Sequence, residues 1–220
     1  MNRILSTILI SLLCLCGAMA QPAAVKNVAK SVFALKAYDA EGKQIATSNG
    51  VFLSADGIAA CPWSAVREAS RVEVVDFNGK TYPVTHILGA NELYDVCRVR
   101  VDMPKTVAAT VATAAAAKDS KLWLVETADR RTQTTQYEVD KAETFMEKYA
   151  YYVFGYNNHK PTQGAAFVNE KGQVVGLMQQ SVRSLYANAV DVRFILTLAA
   201  SHLDINNSLY AKTSLRLTLP

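Results

Sequence analysis

The 220-residue sequence predicts an all-β protein of antiparallel strands, closed as a barrel or stacked as a sandwich. Short apolar and β-branched runs recur along the chain, and turn signals rich in Gly, Asn and Asp separate them. Such spacing speaks for antiparallel pairing rather than alternating βα units. Length is the second observation: without its N-terminal segment the chain keeps about 200 residues, which suits one large β domain or two small barrels sharing an interface.

Residues 1–20 read as a cleaved secretory signal. A short basic start at Arg3 leads into an apolar run from Ile4 to Cys16, and small residues follow at Ala18-Met19-Ala20. Cleavage after Ala20 leaves a mature chain starting at Gln21. The run is short for a bilayer and no later apolar stretch of ~18 or more residues follows, so no membrane span is expected. Leu13 and Leu15 precede Cys14 and Cys16, where a lipoprotein site needs a small residue.

The first set of strands is read at Ser31 to Tyr38, Gly50 to Ser54, Gly57 to Ala60, Arg71 to Asp76, Thr81 to Leu88 and Val96 to Val101. Asp39-Ala40-Glu41-Gly42, Ala55-Asp56-Gly57 and Phe77-Asn78-Gly79 mark turns among them. Lys105 to Asp119, rich in Ala, Thr and Val, reads as a connector or a helix-prone patch. A second set follows at Lys121 to Glu126, Thr134 to Val139, Tyr149 to Phe154, Ala165 to Asn169, Gln173 to Gln179 and Asn188 to Val192. Apolar residues at helical spacing then predict a closing helix over Phe194 to Leu203. The division expected is a signal at 1–20, a first barrel at 21–105, a link at 106–119, a second barrel with its helix at 120–204, and a tail at 205–220.

The formal charge is +4, and +3 once Arg3 leaves with the signal, too weak and dispersed to argue for nucleic acid. Of four cysteines, Cys61 and Cys97 remain in the mature chain, either as a disulfide suited to an oxidising compartment or as two buried thiols. The three histidines, His86, His159 and His202, are scattered without metal-ligand spacing, and no cofactor is implied.

Three stretches, in matching order and separation, resemble the trypsin-like serine proteases, nearest the bacterial HtrA/DegP branch. Gly50-Val51-Phe52-Leu53-Ser54-Ala55-Asp56-Gly57 through Pro62-Trp63-Ser64-Ala65-Val66 resembles the segment that delivers the general-base histidine, with Ser64 at the histidine position. Gly79 to Gly89 followed by Asp95-Val96-Cys97-Arg98-Val99 resembles the segment ending in the orienting aspartate, which falls on Asp95. Pro161-Thr162-Gln163-Gly164-Ala165-Ala166-Phe167-Val168-Asn169 resembles G-N-S-G-G-P-L-V-N, with Gln163 in place of the nucleophilic serine. The resemblance covers residues 28 to 203, with no PDZ-like domain after it. It implies two six-stranded antiparallel β-barrels with a site in the cleft between them. The signal-like N-terminus predicts export, to a periplasm as of a Gram-negative bacterium or out of the cell.

If the resemblance holds, the chemistry is gone. Peptide hydrolysis by such a triad needs a serine oxygen, a histidine to take and return its proton, and an acid to orient the histidine. Only the acid remains. The Gln163 amide is not a nucleophile, and Ser64 does not exchange a proton near neutral pH as imidazole does. The oxyanion-hole glycine position is Pro161, which has no N–H, and losing one such donor costs roughly 100- to 1000-fold in rate.

Each of these residues also has a plainer role. Asp95 is more simply a structural carboxylate that accepts backbone N–H groups at the barrel seam. Trp63 is an aromatic platform for a ligand, together with Gln163 and Gly164, or packing over a barrel end. His159 neighbours the degenerate loop, His86 is expected to face solvent, and His202 sits on the surface. Tyr149, Tyr151, Tyr152, Phe154 and Tyr156 make an aromatic strand that lines a groove or packs as cross-strand pairs. The resemblance would put Cys61 and Cys97 on adjacent strands. The function expected is a pseudoprotease that binds a peptide or protein. The alternatives are an active endopeptidase using Ser64 or Ser181, for which no histidine is suitably spaced, and a structural domain of a larger scaffold.

Overall fold

The computed structural model describes residues 21–128, 131–155, 157–179, 187–198 and 203–204. Residues 1–20, Tyr156, Ser181, His202 and residues 205–220 lie outside the described residues. Among the described residues no helix is long and apolar enough to cross a membrane.

The chain forms two six-stranded antiparallel β-barrels. In the first, β1 (Val32–Tyr38) pairs with β2 (Gln44–Phe52) and β4 (Arg71–Val75), β2 pairs with β3 (Ile58–Cys61), and β3 pairs with β6 (Val96–Val101). The long β5 (Thr81–Asn91) pairs with both β4 and β6 and closes the ring. The second barrel runs β7 (Lys121–Ala128), β8 (Arg131–Phe145), β9 (Tyr149–Phe154), β12 (Asn188–Asp191), β11 (Val174–Gln179), β10 (Ala166–Val168) and back to β7. A short β13 (Leu203–Asp204) returns to the first barrel and pairs with Ile87 and His86.

Side-chain alternation along the strands sorts the apolar residues into three cores. Phe33, Leu35, Phe52 and Val99 fill the first barrel. Leu124, Tyr152, Phe154 and Phe167 fill the second, where the Phe154 and Phe167 rings stack 3.9 Å apart. The opposite faces of the same strands supply Val32, Val51 and Val96 from one barrel and Trp123, Val125 and Val168 from the other, which together form a third core between them. Turns are set by short acids. Asp76 accepts from the backbone N–H of Asn78 (3.0 Å) and Lys80 (2.8 Å), and Asp39 from that of Lys43 (2.7 Å). At Gly57 the backbone has φ +92°, and a Cβ there would stand 2.3 Å from the Val101 carbonyl oxygen.

Several expected elements shift. β2 starts at Gln44, six residues before the expected Gly50, and β8 runs for 15 residues instead of Thr134 to Val139. Most side chains of both extensions face water, with Ser48 and Asn49 the buried exceptions on β2, so their strand state rests largely on backbone pairing that no apolar pattern marks. The closing helix is α2 (Val192–Leu196), preceded by α1 (Ala23–Val28), which the sequence reading did not foresee. Instead of running from Phe194 to Leu203, α2 starts at Val192. Asp191 caps it by accepting from the Arg193 N–H at 2.9 Å, and the chain is back in a strand by Leu203. Residues 102–120 hold no helix; their one bridge is Val111 beside Val174, in parallel.

One polar residue crosses the apolar seam. The buried Asn49 of β2 donates through Nδ2 to the Thr127 carbonyl (2.8 Å) and accepts at Oδ1 from the Thr127 N–H (2.9 Å), so its amide pairs with β7 as a strand backbone would. Its own backbone N–H donates to the Gln163 carbonyl at 2.8 Å. Substituting Asn49→Ala strands two buried backbone groups, and we expect a loss of about 2–4 kcal/mol in urea unfolding. A loss under about 0.5 kcal/mol would show that the bridge contributes nothing.

Candidate functional site

Three turns, two from the first barrel and one from the second, meet at the seam. The chain leaves β3 at Cys61 and turns through Pro62 and Trp63 to Ser64, held there by a Trp63 N–H to Asp95 carbonyl bond of 3.3 Å. Asp95 closes the turn between β5 and β6 with φ +48°, in the left-handed region. Gln163 lies in the turn before β10, where Gly164 donates to the Met178 carbonyl at 2.8 Å. Gly164 has φ +79°, and a Cβ on it would sit 2.0 Å from the Asn49 carbonyl oxygen and 2.7 Å from Pro62 Cδ. Only glycine lets this loop reach the first barrel.

The side chains of Ser64, Asp95 and Gln163 are hydrogen-bonded to one another. Gln163 Nε2 donates to Asp95 Oδ2 at 2.6 Å and to Ser64 Oγ at 2.9 Å. Ser64 Oγ donates to Asp95 Oδ2 at 2.8 Å, and the Ser64 N–H to Asp95 Oδ1 at 2.6 Å. The amide and the hydroxyl thus direct their donors at a single carboxylate, and what they leave for a further group is lone pairs. Ser64 is exposed; the other two are half-buried.

Burial raises the Asp95 carboxyl above its ordinary value, against the opposing pull of the Ser64 N–H, the Ser64 hydroxyl, the Gln163 amide and the more distant Arg67. An acid raised in the fold keeps its proton better folded than unfolded, so its ionisation costs stability as pH rises through the interval between the two values. Arg67 itself pairs with Glu92 at 3.4 Å and Glu68 at 3.5 Å at the surface.

The remaining candidates spread out. Pro161, without an N–H, is half-buried two residues before Gln163. Trp63 is 4% exposed and belongs to the first-barrel core, and Gly164 is buried against Asn49, so both are packing positions. His86 is half-buried, with Nδ1 3.1 Å from Thr85 Oγ1. The aromatic strand splits: Tyr149 joins Phe145 and Phe194 at the inter-barrel core, while Tyr152 and Phe154 fill the second barrel. Cys61 and Cys97 face each other in register across β3 and β6, with their sulfurs 3.4 Å apart. Among the described residues no group of three or more His, Cys, Asp or Glu side chains could hold a metal ion.

Sequence reasoning missed Glu126. This carboxylate is buried on β7 and accepts from the Thr162 N–H at 2.5 Å, from Gln133 Nε2 at 3.3 Å, and from His159 Nε2 at short range. His159 is therefore spent on Glu126, and the pair braces the loop that carries Gln163 through the Thr162 N–H. Burial and the facing Glu126 push the neighbouring Tyr137 hydroxyl up to about 12.

The two closed barrels are consistent with a chymotrypsin-like fold. No protein-family model matches the chain, and no curated protein matches it. Gln163→Ala removes a donor that favours the charged Asp95. Followed by carboxyl carbon NMR, the Asp95 titration should move to higher pH in this variant. A shift to lower pH would contradict the hydrogen-bond assignment.

Proposed function

We propose that this chain is an exported homologue of the trypsin-like serine proteases, of the HtrA/DegP branch, that no longer hydrolyses peptides and instead binds a peptide or protein. The observation that carries the reading is the meeting of Ser64, Asp95 and Gln163 at the seam of two six-stranded barrels. These are the positions that the sequence resemblance assigns to the histidine, the aspartate and the serine of a triad.

The chemistry of the cluster supports binding over catalysis. The nitrogen lone pair of the Gln163 amide is delocalised, so the group cannot attack a carbonyl. Ser64 is hydrogen-bonded to a carboxylate, too weak a base to carry a hydroxyl proton through an acyl transfer. His159 is held by Glu126, and His86 stands on β5 beside Thr85. Pro161 offers no N–H to a developing oxyanion.

A ligand has a place to lie without any of these groups reacting. Two clefts, of about 490 and 320 Å³, share Thr127, Ala128 and Thr162 beside the loop of Gln163. The smaller is lined on its other side by Ala34, Lys36 and Thr47 of the β1–β2 hairpin. Pairing of an extended segment with strand backbone supplies affinity through main-chain hydrogen bonds and needs no catalytic residue. Export rests on the signal-like pattern of residues 1–20.

Treated with a fluorophosphonate probe, the purified chain should gain no adduct by intact mass and should leave casein uncut. A scan of extended peptides by fluorescence anisotropy should yield saturable binders. Labelling at Ser64 or Ser181 would establish an active endopeptidase instead, and the absence of any binder would remove the binding reading.

A further inference from the structure

Cys61 and Cys97 are the only cysteines after residue 20, and they stand directly opposite each other on β3 and β6. Both are fully buried in the first-barrel core, with Ala59 and Ala90 as small neighbours in the same cluster. Their sulfurs are 3.4 Å apart, close to the ~2.0 Å of a disulfide. The pair also adjoins the polar cluster. Cys61 precedes Ser64 by three residues and Cys97 follows Asp95 by two, and between these segments runs the 3.3 Å Trp63 to Asp95 backbone bond.

We propose that Cys61 and Cys97 are a redox-modifiable dithiol, which an external disulfide converts into an intramolecular disulfide that staples β3 to β6 beneath the Ser64–Asp95–Gln163 cluster. The geometry alone carries this, independently of the peptide-binding reading. One cysteine thiolate attacks a sulfur of the external disulfide, giving a mixed disulfide and expelling the first external thiol. The second cysteine thiolate then attacks the protein sulfur of that mixed disulfide and expels the other external thiol. One S–S bond is lost and one formed. The protein gives up two electrons and two protons, and the external disulfide takes them up as two thiols.

Burial sets when this happens. The Cys97 thiol is held well above its ordinary value, first by desolvation and then by Cys61 and Asp95, so the folded barrel presents almost no thiolate. Exchange proceeds during folding or through transient opening of the β3–β6 pair. In the folded protein its rate therefore levels off as oxidant is raised. Once formed, the bond removes the freedom of the loop between the two residues in the unfolded chain. It also fixes the separation of the Ser64 and Asp95 turns covalently.

The test refolds the purified chain from guanidinium in a mixture of reduced and oxidised glutathione, alkylates it under denaturing conditions and maps it by mass spectrometry. Expected is a peptide pair joined through Cys61 and Cys97 with neither sulfur alkylated. Tm should stand about 5–15 °C above that of the dithiothreitol-reduced chain. The Cys61→Ala/Cys97→Ala variant should show no Tm difference between the two treatments; should it fail to fold, the wild-type comparison decides alone. Two alkylated cysteines, mixed glutathione adducts without the joined peptide, or an unchanged Tm in the joined form would each overturn the proposal.

Discussion

The side-chain amide of Asn49 is the constraint on which the geometry of the seam depends. Apolar contact between the barrels, through Val32, Val51, Val125 and Val168, is strong but non-directional and would tolerate sliding. The two bonds from Asn49 to the Thr127 backbone are directional and buried, and they fix β2 against β7 in one register. The same residue then holds the Gln163 carbonyl with its own N–H. Ser64 and Asp95 belong to the first barrel and Gln163 to the second, so the Gln163 contacts of 2.6 and 2.9 Å depend on that register. Gly164 is the complementary device, since any side chain there would push the loop off Asn49.

The chemistry of the seam follows from which groups spend their donors. In a hydrolytic triad the central position carries an imidazole that both accepts and donates. Here an amide and a hydroxyl converge on one carboxylate, and neither passes a proton on. The arrangement is static, and the three hydrogen bonds Asp95 accepts, from the Ser64 N–H, the Ser64 hydroxyl and the Gln163 amide, offset part of the cost of half-burying it. Glu126 fixes the Thr162 N–H and His159, so the loop bearing Gln163 contacts two carboxylates, Glu126 and Asp95.

Legibility in the sequence followed exposure. β6 and β9 coincide with the runs Val96 to Val101 and Tyr149 to Phe154, where apolar residues repeat with the pleat. The arms of β2 and β8 were not legible past their apolar ends, because residues such as Thr47 and Thr132 face water and owe their strand state to backbone pairing. The closing helix was drawn too long, since apolar spacing over Phe194 to Leu203 cannot reveal that the chain returns to pair with β5. Glu126 did leave a trace, as a single carboxylate ending the apolar run Leu122-Trp123-Leu124-Val125. A lone acid in a buried strand requires donors, and that requirement pointed to a partner without naming His159 or Thr162.

What the amino-acid order decided by itself is local: strand-forming alternation, the acids and glycines that turn the chain, and the residue types at positions 64, 95, 161 and 163. A serine, an aspartate, a proline and a glutamine supply no imidazole for proton exchange, because that property belongs to the functional group wherever it sits. Only the tertiary structure decided that Gln163 reaches both Ser64 and Asp95, that Trp63 is core, that His159 is committed to Glu126 and that two cysteines 36 positions apart touch. Each of these is a contact between segments distant in sequence. Its distance is set by how strands pair and pack within and between the two closed barrels, which no short-range pattern encodes.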